Sequence, residues 1–359
     1  MHDDRPPSGW PDGALRRAFQ GRLAALAGGG ADGMEGRLRR LSRPDAAWRV
    51  SAPIDDLAGP TEAHARAFAP LAAALPDLER RDAILVGGAY EGRGYVAAMG
   101  HYCGTFRRDW LGIPATGRPL FLRYGEVYRL DPEGRVIRAH LLWDVLDAMR
   151  QAGLWPLAPS LGAEAAWPAP ITGDGLRLDP SDPAEGAASI AQTLAMHAAL
   201  AEFDDAGRLG REALLAMPQR EHWHPKMMWY GPAGIGTARG LAGFVDHHQL
   251  PFRRAFRRPQ GPFEEVSAAR AAKGAGHYVR LGDGPYSVTG GWPSVVALHH
   301  GGGFCGLPPT GRDVTMRVMD FYLHHEGLIR ENWVPLDMLD LLRQTGLDAM
   351  ARMRELLAR

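Results

Sequence analysis

The chain has 359 residues, with 41 Lys+Arg against 41 Asp+Glu, 45% hydrophobic and 23% charged residues. That length predicts two domains, and that balance a globular protein able to bury real cores. Zero formal net charge removes the long-range pull on nucleic acid or anionic lipid, and no apolar run approaches the roughly 20 residues of a membrane span. The first 13 residues, MHDDRPPSGWPDG, read as a flexible polar tail without a signal peptide, which points to a soluble, cytoplasmic protein. Apolar residues at helical spacing predict a helix over 14–27 and a second over 60–75. DPEG at 131–134 marks a turn between strands, and a short helix follows Asp144. Residues 154–186 are rich in Pro and Gly and read as a strap or linker. Helices over 187–204 and 240–257 come next, then strands in HYVRL, YSVTGGWPSVVALHH, DVTMRVMDFYL and GLIRENWVPL, and a short helix after Asp337. Helices first and antiparallel strands after them make an α+β pattern.

The two halves repeat. GIPATGR at 112–118 returns as GLPPTGR at 306–312, and WDVLDAMRQAG at 143–153 as LDMLDLLRQTG at 336–346. Between these anchors Tyr128 matches Tyr322 and Gly134 matches Gly327; further back, Trp48 with Gly59 matches Trp229 with Gly240. His101 and Phe106 are spaced as His299 and Phe304. A period this long is a duplicated domain, not a solenoid. The expected boundaries are a tail to 13, a first domain over 14–153, the strap, and a second domain over 187–359.

At these paired segments the chain resembles the SnoaL-like polyketide cyclases of the nuclear-transport-factor-2-like superfamily. Their pattern is G-x-P-x-T-G-R, a hairpin with a Gly turn, a strand ending in Trp-x-x-x-Asp, and a helix ending in Gln-x-Gly. The second half carries Trp333, Asp337, Gln344 and Gly346; the first carries Asp144, Gln151 and Gly153, with His140 where the tryptophan belongs. The resemblance implies two tandem cone-shaped α+β barrels, each with N-terminal helices packed on a curved, mostly antiparallel sheet. It implies cofactor-free acid/base chemistry, proton abstraction beside a carbonyl leading to aldol cyclisation or isomerisation, with Asp337 as the base. The same superfamily holds dehydratases, epoxide hydrolases and non-catalytic binders, and these stay open as alternatives.

A base of this kind needs an apolar cavity to raise its pKa and donors aimed at the enolate oxygen. An Asp between strand and helix is equally an N-cap, and spacing does not separate the two roles. Nine of the fourteen histidines lie at or after residue 222. His222 and His224 share a strand face, and His299 and His300 end a strand, so His224 and His299 are the candidate partners of Asp337. Trp229, Tyr230, Trp292 and Trp333 are candidate walls for a flat, polycyclic substrate, with His222 and Asn332 beside them. Trp333 shares strand parity with Asp337, and Asn332 points the other way. Asp144 and His140 mark the first-domain counterpart. His324 and His325 fall in the hairpin turn and read as solvated. The four arginines of PFRRAFRR read as a solvated helix side, with an anionic ligand as the alternative. No metal is expected, since no histidine pair has ligand spacing on a helix, and two cysteines make no zinc site. Lys226 and Lys273, the only lysines, sit in no P-loop. The expected partner is a hydrophobic small molecule, with no nucleic acid and no membrane. The first domain is expected to pair with the second in place of a homodimer, with further dimerisation of the whole chain as an option.

Overall fold

A computed structural model of the chain describes residues 10–358. The expected flexible tail lies outside the described residues as far as residue 9. The chain forms two compact units: 10–155, 168–182 and 350–358 make the first, and 156–167 with 183–349 the second. Among the described residues no helix is long and apolar enough to cross a membrane.

The first unit opens with a helix, Gly13–Gly28, capped by the Asp12 carboxylate, which accepts from Leu15 N–H at 2.8 Å. Phe19, Leu23 and Leu26 recur at helical spacing and are buried against the sheet. Six strands follow: β1 Ser42–Val50, β2 Asp56–Ala58, β3 Glu79–Tyr90, β4 Arg93–Thr105, β5 Pro119–Leu130 and β6 Val136–Trp143. They lie in the order β2-β1-β6-β5-β4-β3, antiparallel except for β1 beside β6. The helix Val145–Gln151 closes the sequence of elements.

The second unit repeats the plan. Its first helix, Pro183–Ala201, starts four residues before the expected 187, with proline at the first position, where a missing N–H costs nothing. Seven strands follow: β7 Trp223–Tyr230, β8 Thr237–Arg239, β9 Phe256–Arg257, β10 His277–Asp283, β11 Tyr286–His299, β12 Arg312–His325 and β13 Leu328–Trp333. The order is β10-β11-β12-β13-β7-β8, with β9 added to β11, and the β13–β7 pair is parallel. Both sheets are open, each with two edge strands, among the described residues. The β12–β13 connection has two residues, Glu326 and Gly327, both at positive φ (53° and 75°), the type I′ geometry that matches strand twist. The turn is therefore shorter than HHEG. His324 belongs to β12, is 7% exposed, and bonds Ser287 and Thr193 at 3.0 and 3.2 Å, which corrects the solvated reading; His325 is exposed.

Strand register proves the duplication position by position. Trp48 pairs with Ala139 and Trp229 with Asn332 across the parallel strands. Both units break the second helix with a π-turn, His64–Phe68 and Val245–Gln249, each just before a proline that cannot donate back to the preceding turn. Both also carry a bulge at the same place, between Asp82 and Ile84 on β3 and between His277 and Val279 on β10. The proposed match of His101 with His299 does not hold. His101 pairs with Arg123 and His299 with Arg312, and an insertion in β11 between Gly291 and Val295 separates the two counts.

Candidate active site

Strand β12 builds the site. Alternation along it turns Met316, Val318, Asp320 and Tyr322 to one face, and these four side chains line a cavity of about 170 Å³ within the second unit. On β13 and just beyond it, Asn332, Val334 and Leu336 face the same way. The other walls are aromatic: Trp223 and Trp229 from β7, Phe244 and His248 from the broken helix, and Phe252. His248, held in the π-turn, stacks on Trp229 with centroids 4.0 Å apart and planes 17° from parallel. His197, from the first helix, and His277, from the β10 bulge, complete the polar side.

Asp320 is the carboxylate of this cavity. Burial pushes it up to about 7, against hydrogen bonds from Asn332 and Tyr322 that favour the charged form. Its remaining accessible surface opens into the cavity it lines. The Tyr322 hydroxyl lies 2.9 Å from His197 Nε2, so Asp320, Tyr322 and His197 form one chain of hydrogen bonds. Burial, then Asp320, holds the Tyr322 phenol well above its usual range, so it stays a donor. The three histidines are neutral at pH 7. Burial lowers His277 to about 4 and His248 to about 3, with Arg280 and Arg258 adding respectively, and burial with His277 and Arg270 holds His197 well below its ordinary value. A carboxyl raised toward neutral pH beside neutral donors, inside an apolar chamber, is the equipment of a general acid/base site.

The residues expected from the sequence divide between this cavity and the outside of the sheet. Trp229 and Asn332 line the cavity. Trp333 and Asp337 do share a face, as their spacing requires, but it is the opposite one. Trp333 is fully buried against Tyr230, the rings stacked at 5.2 Å, and Tyr230 donates to Glu331 at 2.9 Å. Asp337 caps the helix Met338–Thr345, accepting from Asp340 N–H at 3.1 Å, and takes Arg317 at 3.1 Å; its side chain is 1% exposed. Asp144 does the same in the first unit, with Asp147 N–H at 3.0 Å and Arg123 at 2.9 Å. The recurrence of the ion pair and cap in both units marks this aspartate as a structural joint between sheet and helix. Trp292 lies under the Arg317 guanidinium, 5.0 Å from ring centre to carbon, on that same outer face.

His224 and His222 also fall on the other parity from Trp223 and Trp229. His224 accepts from Lys226 N–H at 3.0 Å and faces His325, and His222 ends a 3-10 turn where its carbonyl accepts from Ile329. His299 is fully buried, but its ring stacks on Phe256 and bonds Thr310 at 3.1 Å, away from the cavity. His140 is buried on the face opposite Glu126, with Arg49 and Arg138 around it. A second hollow of about 220 Å³ shares Ile235, His248 and Phe252 with the first and holds Cys305, whose thiol burial pushes up to about 12, with Glu164 adding to it. That thiol is not a nucleophile at neutral pH. No group of three or more His, Cys, Asp or Glu is placed to hold a metal ion among the described residues.

The model of the SnoaL-like polyketide cyclase family matches residues 31–152 and 295–345, one segment from each repeat. The chain is similar to that family in both repeats. Three solved structures are similar to this SnoaL-like chain. A protein of Jannaschia sp. CCS1 assigned to the SnoaL-like polyketide cyclases is 24% identical, covering 39% of this chain and 92% of its own, with a TM-score of 0.30. IdmH of Streptomyces antibioticus, assigned as a polyketide cyclase, is 21% identical over 38% and 98%, at 0.32. TsrD of Streptomyces laurentii is 21% identical over 39% and 96%, also at 0.32. No curated protein matches the chain.

Sequence reasoning missed Asp320, Tyr322 as a site residue, and His197. The signal for Asp320 was present. In the strand DVTMRVMDFYL it is the one carboxylate on the parity of Met316 and Val318, and it stands where the first repeat has Glu126.

Proposed function

We propose that the second unit of this SnoaL-like chain is an enzyme that removes a proton beside a carbonyl of a hydrophobic, ring-bearing small molecule, with Asp320 as the base. The observation that carries this reading is a carboxylate brought to a pKa of about 7 in a cavity walled by Trp223, Trp229, Phe244 and Phe252. Ionised Asp320 takes the proton from the carbon next to the carbonyl. Tyr322 and Asn332 hold the carboxyl oxygens in place, and His197 fixes the Tyr322 hydroxyl. A neutral imidazole such as His277 donates to the developing enolate oxygen without adding a fixed charge. The enolate carbon then attacks a second carbonyl of the same molecule, whose C=O π bond opens to an alkoxide that takes the proton back from Asp320 and leaves a closed ring, or the enolate is reprotonated at another carbon by the Asp320 carboxyl, which isomerises it.

The test uses 2-tetralone in D₂O, a neutral ring ketone whose exchange of α-protons for deuterium is read by NMR. The protein is expected to catalyse exchange, with a rate that rises as pH passes through about 7, because the active form is the carboxylate. Asp320→Asn is expected to cut the rate by roughly 10²–10⁴-fold. A rate unchanged by that substitution removes Asp320 from the chemistry. Saturable binding of tetralone with no exchange in the native protein turns the reading to a non-catalytic binder.

A further inference from the structure

The cavity contains charge that proton abstraction does not use. Arg258 and Arg270 both line it, one from the chain just after β9 and the other from the helix Phe263–Ala272. Neither side chain makes a hydrogen bond or ion pair with the described residues; Arg258 has only the Phe252 ring, 5.5 Å from its guanidinium carbon. Its Nε is fully buried and unpartnered. The carboxylate that acts on it, Asp205, is held by Arg253 at 2.5 Å, so two guanidiniums share one acid. Burial is the cause that lowers Arg270, and no carboxylate offsets it. Burial, Arg253 and Arg270 together lower Arg258 to about 9. Two half-buried cations lining one apolar cavity, with no ion pair of their own, are costly unless something anionic completes them.

Arg270, His197 and His277 line the same cavity, the Arg270 charge lowers both imidazoles, and His197 is one hydrogen bond from Tyr322. The cationic end and the Asp320 end thus belong to one chamber, joined through His197 and Tyr322.

We propose that the cavity takes an aromatic or polycyclic carboxylate, its acid group seated between Arg258 and Arg270 and its ring system on Trp223, Trp229 and Phe252. This names the substrate class for the reading above and rests on it only for the role of Asp320. A carboxylate offers two in-plane oxygens to guanidinium N–H groups, and charge-assisted pairs of this kind are strong when shielded from water. The flat walls take the ring, and the arginines fix which end of the molecule enters first. They thereby set which C–H meets Asp320.

The experiment compares 2-naphthoate with its neutral isostere 2-naphthamide by titration calorimetry at pH 7.5 on the full chain. The acid is expected to bind at least about tenfold more tightly than the amide. Arg258→Met and Arg270→Met should each remove most of that preference and leave amide affinity within about threefold, amide binding showing that the cavity is still formed. Arg270→Lys should keep part of the preference, since it keeps the charge but not the fork. Equal binding of acid and amide by the native protein, or a preference untouched by both Arg→Met changes, overturns the proposal. Exchange of neutral 2-tetralone needs no anion site, so the base and the anion site can fail separately.

Discussion

Glu126 on β5 and Asp320 on β12 occupy the same position of the same strand in the two repeats, with Tyr128 and Tyr322 two residues on, and their surroundings are opposites. Glu126 is fully enclosed. Arg80 and Tyr128 each reach it at 2.5 Å, Trp143 Nε1 at 2.9 Å and Tyr102 at 3.1 Å. Arg80 in turn lies over the rings of Tyr124 and Tyr102 and pairs with Asp82. Burial opposes the Arg80 charge, but Asp82 and Glu126 outweigh it and hold the guanidinium protonated. Register places Val295, Val318 and Leu336 of the second unit where the first has Tyr102, Tyr124 and Trp143, and counting back from the shared bulge places Ala275 where it has Arg80. Three large rings and a cation shrink to small apolar side chains, and the space they leave is the cavity. The same carboxylate position is ion-paired in the core of one unit and lines an apolar cavity in the other.

Returning the large residues is the strongest way to break this contrast. Val318→Tyr with Leu336→Trp should fill the chamber and bring 2-tetralone exchange to background, while circular dichroism stays native; persistent exchange would mean that the chemistry lies elsewhere. Next in size, Arg80→Met leaves Glu126 and Asp82 buried without their cation and should cost the first unit about 3–5 kcal/mol. Chemical denaturation reads that loss, and exchange by the second unit should be unaffected at temperatures where both are folded. The smallest effect separates the two aspartates of the second unit. Asp337→Asn keeps a capping oxygen but loses the charge facing Arg317, and should cost about 1–2 kcal/mol, as Asp144→Asn should in the first unit. Turnover should stay within a few-fold of native; a loss as deep as that of Asp320→Asn would return Asp337 to the catalytic role its motif suggested.

The duplication, the α+β class and the bounds of the long helices were legible because each rests on local signals. Examples are helical spacing over 14–27, the Gly of each hairpin turn, and the repeated PATGR and PPTGR segments. The family was legible for the same reason. The candidate cavity was not, because Asp337 of the motif caps a helix and pairs with Arg317 on the other face of the sheet. Asp337 recurs with its helix and its arginine wherever this sheet meets this helix, so its spacing reports architecture. Parity carried the right information on β13, linking Trp333 with Asp337 and setting Asn332 apart, yet parity says which residues share a face and not which face is hollow. That depends on side-chain volume summed over four strands, and the comparison that reveals it, Tyr124 against Val318 and Trp143 against Leu336, requires the registers. His197 and His248 were hidden differently: each lies on a helix that packs across the sheet, far in sequence from Asp320.

The pKa of Asp320 has a consequence for the act of filling the chamber. Burial brings the carboxyl into its titration range near neutral pH. A ligand that closes over the carboxyl deepens its burial and draws its pKa further upward. Loading therefore takes protons from solution, and the measured heat of loading must vary with the ionisation enthalpy of the buffer. An acid seated on the arginines adds its own negative charge to the chamber and strengthens this uptake. Under the proposed function the chamber is a proton-coupled receptor before it does any chemistry, and the share of loaded molecules that keep Asp320 ionised sets how many are ready to react.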